Sequence, residues 1–331
     1  MKTFLSRALP GVLAATVAAA ALTAAPQPAR AADPMFDDLH FLVPGGAGGG
    51  WDTTARSTGR VLSQTGLLGN ASYENMSGAG GGKAIGYMIE TAERQRDTLM
   101  VNSTPIIVRS ITQVFPYSFR DLTPVASIIA DYSVIAVRAD SEHESFADLV
   151  SAFKADPKSV KIAGGSVRGD LDHLAAASAM KAAGGDPRDV AYIPYDAGGK
   201  ALAGLLSGET DAISTGLGEV ITPHREGQLR ILAIAAPEPV EALPDVPTFK
   251  KLGYDHVFAN WRGFFASPAV SDERAQRYAD MLKQMQQTDR WQEAKEKRGW
   301  VNLYQPRAEF VSFLESQEAQ IRSLMKELGF L

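Results

Sequence analysis

The sequence predicts an α/β protein of two lobes joined by two crossover segments. Three observations predict it. Two successive strand, glycine-loop, helix patterns precede Val101; a self-contained alternating set follows between Ser133 and Ala235; and a late apolar segment, Val257 to Ala266, returns the chain to the first set.

The first pattern opens with the apolar run Leu39 to Val43, of strand length. Pro44 to Gly50 follows, seven residues of which five are glycine, and then Ala55, Gly59 and Leu62 recur on one helix face. Asp52 or Thr53 stands where a cap would be. A glycine turn between a strand and a helix start leaves unpaired N–H groups converging on one spot, with the positive end of the helix dipole behind them. Gly46, Ala47, Gly48, Gly49 and Gly50, with Trp51 and Asp52, therefore form a candidate anion seat. Glycine suits it because a Cβ would hold a ligand oxygen away from the amides.

The device recurs. Ala71 to Glu74 reads as a strand, Ser77, Gly78, Ala79 and Gly80 to Gly82 as its loop, and Ala84, Ile85, Met88, Ile89 and Ala92 as one helix face. Thr98 to Val101 is a third strand, and Ser103 and Thr104 offer hydroxyls just beyond it. Such βα units build a parallel sheet with right-handed crossovers, so both glycine loops belong at one carboxyl edge.

Val125 to Ala130 and Ser133 to Arg138 are β-branched runs separated by Asp131 and Tyr132, after which a new α/β layer begins. Helices marked by Phe146 to Phe153, Leu171 to Met180, Ala201 to Leu206 and Val220 to Glu226 alternate with strands at Val160 to Ala163, Val190 to Ile193, Ala212 to Ser214 and Ile231 to Ala235. The tail is helical, with Tyr278, Met281, Leu282 and Met285 on one face and Phe310, Phe313, Leu314, Ile321 and Leu324 on another. The crossovers fall near Val134 and Phe258, giving a first lobe of 32–133 with 258–331 and a second of 134–257. Two crossovers make a hinge, and the cleft between lobes becomes the ligand site.

At 331 residues with 45% hydrophobic and 21% charged content, the chain is long enough for two lobes. Lys2 and Arg7, the Ala-rich stretch Ala8 to Ala25 and the Ala29-Arg30-Ala31 step read as a cleaved export signal covering 1–31, so the expected location is the periplasm. The chain has no cysteine, which excludes disulfides and thiolate chemistry, and its net charge of −5 gives no reason to expect nucleic-acid binding.

Nucleotide and hydrolytic motifs fail on spacing. Gly82-Lys83 and Gly199-Lys200 each lack both the leading glycine and the trailing Ser or Thr of a phosphate loop, and the dinucleotide pattern breaks at Trp51 and at Lys83. Gly164 to Arg168 lacks the last glycine of a nucleophile elbow. His40, His143, His173, His224 and His256 are scattered, with no metal-ligand spacing. No catalytic residue, metal or cofactor is called for.

The ordered set Pro44-Gly45-Gly46, Trp51-Asp52, Ala55-Arg56, Asn75 to Gly82, Pro194-Tyr195, Gly198-Gly199, Gly208, Asp211, Gly216, Gly227 to Arg230 and Pro244 to Thr248 resembles the tripartite tricarboxylate transporter substrate-binding proteins, also called Bug receptors. The resemblance covers nearly all of the chain after residue 31. It implies a periplasmic receptor of the type II, Venus-flytrap class that closes on a carboxylate and delivers it to a permease of one large and one small membrane subunit. It also implies that backbone groups of the glycine loops hold the carboxylate. An alternative reading is a ligand sensor that binds a histidine-kinase ectodomain as well as, or instead of, the permease, and the receptor itself is expected as a monomer.

Gly164 to Asp170 stands where the family has a ligand loop before a helix with a His-Leu pair, here His173-Leu174. Gly165, Ser166, Arg168 and Asp170, with Tyr195, are thus expected to select the rest of the ligand. Arg168, if it faces the cleft, implies a second carboxylate on the ligand; Asp170 is otherwise a helix cap. Lys200 tilts the same way, toward a di- or tricarboxylate such as citrate. Trp51 either walls the cavity or plugs the core. The competing reading is an exported enzyme acting on a carboxylate, whose sign would be a nucleophile beside a base or a carboxyl of raised pKa in the cleft.

Overall fold

The computed structural model describes Met1 and residues 33–331; the export signal read at Lys2 to Ala31 lies outside the described residues. The first set runs β1 (Phe36–Val43), α1 (Gly50–Gln64), β2 (Leu68–Asn75), α2 (Gly82–Glu90), β3 (Thr98–Ser103) and α3 (Thr104–Ile111). β1 pairs in parallel with both β2 and β3, so the sheet order is β2-β1-β3 and the two glycine loops leave neighbouring strands at the same edge. α3 was not anticipated from the sequence, although Pro105 in its first turn is a helix-start signal.

β4 (Thr123–Arg138) is one strand of 16 residues. The separation expected at Asp131 and Tyr132 does not occur, because Asp131 is buried with a charge partner and so stays within the strand. The strand instead serves two neighbourhoods. Thr123 to Tyr132 pairs antiparallel with β9 (Ala259–Ala266), which itself lies against β3, whereas Ser133 to Val137 pairs with β7 (Ala212–Gly216). Between them come α4 (Phe146–Ala155), β5 (Lys161–Gly164), α5 (Leu171–Ala182), β6 (Ala191–Pro194) and α6 (Gly198–Leu206), then α7 (Leu217–Arg225) and β8 (Leu229–Ile234) after β7. β8 also pairs with β4, and β7, β5 and β6 extend the second half in that order.

At the changeover the backbone is stitched. Ser133 N–H donates to Phe258 O, Ala235 N–H to Ser133 O, and Phe258 N–H to Ala235 O. Both strands that pass between the sets are held there by the same three residues.

The tail adds α8 (Asp272–Gln286), α9 (Asp289–Arg298), β10 (Val301–Pro306) and α10 (Arg307–Glu327). β10, not anticipated, pairs with the first half of β4. Apolar side chains fall into three clusters. One, with Phe41, Phe264, Met281 and Trp291, lies under the first set; another, with Val134, Ile213 and Val220, under the second. The third runs unbroken from Ile85 and Ile107 through Phe310 and Leu314 to Phe146 and Leu174. The chain's last turn carries Phe330 onto His173 of α5, ring centroids 4.8 Å apart. Among the described residues no helix is long and apolar enough to cross a membrane.

Candidate functional site

A cleft of about 370 Å³ lies where the loops of the two sets meet. Its first wall is the glycine loop before α1. The cap expected from Asp52 or Thr53 is absent: the N-cap is Gly49, with no capping side chain of its own, and the Gly50 amide meets the buried Glu219 carboxylate of α7 instead. Asp52 works one step further back. Its Oδ2 accepts the Gly48 amide at 2.9 Å, and its Oδ1 accepts Arg56 Nε at 2.8 Å and Asn75 Nδ2 at 3.0 Å. Asn75 also donates to the Gly45 carbonyl at 3.0 Å, so the loop is tied at both ends to the close of β2. Burial alone would raise the Asp52 carboxyl, but the Gly48 amide, Asn75 and Arg56 together hold it below the ordinary carboxylate value.

The second glycine loop carries the backbone strain. Gly78, Gly80 and Gly81 have φ of 141°, 59° and 100°, and Ala79 has φ 49°, which turns the chain sharply into α2. Trp51 stands between the loops. Its ring would meet a Cβ at Gly45 at 3.0 Å, and its Nε1 donates to Ser103 Oγ at 2.9 Å. Trp51 lines the cleft and also packs, partly buried, against the core of the first set.

Two buried ion pairs underlie the cleft, and sequence reading missed both. Arg262 of β9 donates to Asp131 Oδ2 at 3.2 Å and to Thr54 Oγ1 at 3.0 Å. It sits directly behind Gly50, the first residue of α1, where a Cβ would overlap its guanidinium. With its amide oriented as its neighbours require, Asn260 accepts from Arg262 Nη2 and donates to Ser103 Oγ, each at 3.1 Å. The helix start thus has a fixed cation behind it in addition to the helix dipole. The second pair, Arg109 of α3 with Asp170, joins the two sets at 2.8 Å. The available signal was the same in each case: a single charge inside an apolar run, Ile106 to Ile111 and Trp261 to Phe265, which is rarely buried without a partner.

From the second set come Gly165, Ser166, Asp170 and Tyr195, as expected, together with Asp172, Thr215 and Glu219. Asp170 is the N-cap of α5, and its Oδ1 accepts the Leu171 amide at 2.8 Å. The first-set loop reaches this wall: a Cβ at Gly46 would lie 3.5 Å from the Asp196 carbonyl and 3.7 Å from Ala197 Cβ. Asp172 is buried beside Glu219 and Asp170. Burial first, then these like charges, push its carboxyl up to about 8 against the Gly165 amide and Ser166, which lower it, so its neutral form is favoured at neutral pH. His173 behind it accepts the Gly169 amide at Nδ1 (2.8 Å) and stacks on Tyr192 at 4.5 Å; burial and then Arg168 lower it to about 4, and it is neutral.

Of the residues expected at the site, Gly46, Gly49, Gly50, Trp51, Ser77, Gly78, Ala79, Gly80 and Ser103 line the cleft with those from the second set. Ala47, Gly48, Asp52 and Thr104 do not; Asp52 and Gly48 brace the loop from behind, and Thr104 is buried as the first residue of α3. Arg168 also lies off the cleft wall, its Nη2 donating to the Tyr192 carbonyl at 2.7 Å, and Lys200 pairs with Asp196 at 3.2 Å on an exposed surface. Among the described residues no group of three or more His, Asp or Glu is arranged to hold a metal ion.

Two α/β sets that share the long strand β4 bring loops, helix starts and buried cations around one cleft, the arrangement of a solute-binding receptor. Residues 55–330 match the family described as the tripartite tricarboxylate transporter family receptor, and the chain belongs to that family. Protein BugT of Bordetella pertussis is 31% identical over 258 residues, which cover 76% of this chain and 74% of BugT. Among solved structures, Rhodopseudomonas palustris Rpa4515 with adipate is similar at a TM-score of 0.80 and 20% identity, covering 89% of this chain and 98% of that one. MatC from Rhodopseudomonas palustris with bound malate gives 0.76 and 21%, covering 88% and 99%. The fold is the two-lobed fold of periplasmic solute-binding proteins.

Proposed function

We propose that this receptor captures a small organic carboxylate in the cleft and hands it to a permease of one large and one small membrane subunit, without altering it. Lobe 1 is 32–133 with 258–331 and lobe 2 is 134–257, hinged at the Ser133, Ala235 and Phe258 stitch. The observation that carries the reading is the convergence of the two glycine loops on one cleft: the α1 start, with a glycine N-cap, the Glu219 carboxylate at the Gly50 amide and Arg262 behind it, faces the same cleft as the second loop. One carboxylate sits on the amides of these loops, with Ser103 beside it, and Gly165 to Val167, Asp170 and Tyr195 to Gly198 contact the remainder. Closure follows from contacts made to both lobes at once.

A di- or tricarboxylate remains the ligand class favoured, on different grounds from those in the sequence. Arg168 and Lys200 are engaged elsewhere, whereas the adipate and malate held by two structural relatives are dicarboxylates. Asp172 favours a second reading, because a carboxyl of raised pKa in a cleft also suits general-acid work.

One experiment addresses both. Thermal unfolding of the protein is followed against mono-, di- and tricarboxylates, aromatic acids and amino acids, and each incubated compound is recovered. A ligand at 100 times its Kd adds about 2.7 kcal/mol of stability. A selective shift with the compound unchanged is the expected result; no shift from any acid, or consumption of one, contradicts the receptor reading.

A further inference from the structure

Arg109 lies near the end of α3, where every other residue from Thr104 to Val108 is buried and its own side chain is 9% exposed. A guanidinium there needs compensation for lost water. Nε donates to Asp170 Oδ2 at 2.8 Å, and Nη2 lies 2.8 Å from that same oxygen. A guanidinium offers two edges that each match a carboxylate, Nε with Nη2 and Nη1 with Nη2. Asp170 places a single oxygen on the first, its other oxygen being held by the Leu171 amide. Nη2 is buried with no acceptor in hydrogen-bonding geometry, and no described residue accepts from Nη1. The second glycine loop packs closely on the guanidinium, where a Cβ at Gly80 would stand 2.7 Å from Nε, 3.0 Å from Cζ and 3.1 Å from Nη2. Both Arg109 and Gly80 line the cleft.

We infer that the Nη1/Nη2 edge of Arg109 binds a second carboxylate of the ligand, so that Arg109 selects dicarboxylates over monocarboxylates while Asp170 and Gly80 hold the guanidinium in plane. This rests on the receptor reading above and assigns the cation that Arg168 does not supply. The bidentate edge explains why an unsatisfied donor persists in the wall of the cleft: its acceptor arrives with the ligand.

The test is calorimetry on the whole protein with succinate, malate, glutarate and adipate, and with the monoamide of whichever binds most tightly. The wild type is expected to bind the diacid at least tenfold more tightly than its monoamide. In the paired variant Arg109→Gln with Asp170→Asn, which leaves no lone buried charge, the two ligands are expected to bind within about twofold of each other. Discrimination retained in the folded variant, or absent from the wild type, overturns the assignment. A crystal structure of the wild-type complex reads the same point should the variant not fold, and a ligand carboxylate out of hydrogen-bond reach of Nη1 and Nη2 overturns it. Binding of monocarboxylates alone leaves the receptor reading standing and removes the role of Arg109; binding of no acid at all removes both.

Discussion

The guanidinium of Arg262 lies directly behind Gly50, with no room between them for a Cβ. Arg262 is 3% exposed and bound to Asp131 and Thr54, so it has little freedom to withdraw. Gly50→Ala is therefore expected to lower stability by about 1–3 kcal/mol, the usual cost of overpacking, and to weaken ligand binding by displacing the helix start. Denaturant unfolding and calorimetry check both; a variant as stable as the wild type would show that Arg262 is not fixed where it lies.

Asp52 organises the first glycine loop from outside the cleft. Asp52→Ala strands the Gly48 amide and the Asn75 amide together, and a loss of about 1–3 kcal/mol is expected, with Asp52→Asn losing less. Its carboxyl is held below the ordinary value. The stability it contributes is thus present above the unfolded pKa of about 3.9 and disappears as pH falls through the lower folded value. Unfolding midpoints of wild type and Asp52→Ala should converge in that acid range; a constant gap would contradict the role.

Asp172, at about 8, works in the opposite sense. A raised carboxyl contributes stability that is fully present below about pH 3.9 and is lost as pH rises through 8. In the cleft it remains a neutral donor up to that point and becomes an anion beside an anionic ligand above it. Carboxylate affinity should drop by about tenfold by pH 9, and Asp172→Asn should flatten the profile and be the more stable form at pH 8. An unchanged pH profile in the variant would assign the dependence elsewhere.

His173 and His256 are both pushed down to about 4 by burial. Their stability contribution is present above about pH 6.5 and declines as pH falls toward 4. Their imidazole resonances should stay in the neutral form between pH 7.5 and 5. A midpoint near 6.5 for either ring would mean that it is not enclosed as described.

Local patterns were legible in the sequence, and long-range charge was not. The two glycine loops read correctly because strand, turn and helix start are adjacent in the chain, and β1, β2 and β3 take the parallel order those patterns imply. Asp131 was read as a break because a lone Asp normally ends a strand; its partner Arg262 is 131 residues away. Arg109 and Asp170 are 61 residues apart and meet only through the fold. Arg168 and Lys200, the cations the sequence offered for a second carboxylate, are the ones the fold turns to the Tyr192 carbonyl and to Asp196. The short β10, with Pro306 at its end, has no pattern beyond its pairing with β4.

The most direct test of the central claim is a titration of the protein's backbone amide resonances with a carboxylate that stabilises it. Seating on the glycine loops predicts the largest shifts at Gly46 to Gly50 and Gly78 to Gly82, saturating together at the calorimetric affinity. Shifts confined to other surfaces, with both loops unmoved at saturation, would contradict it.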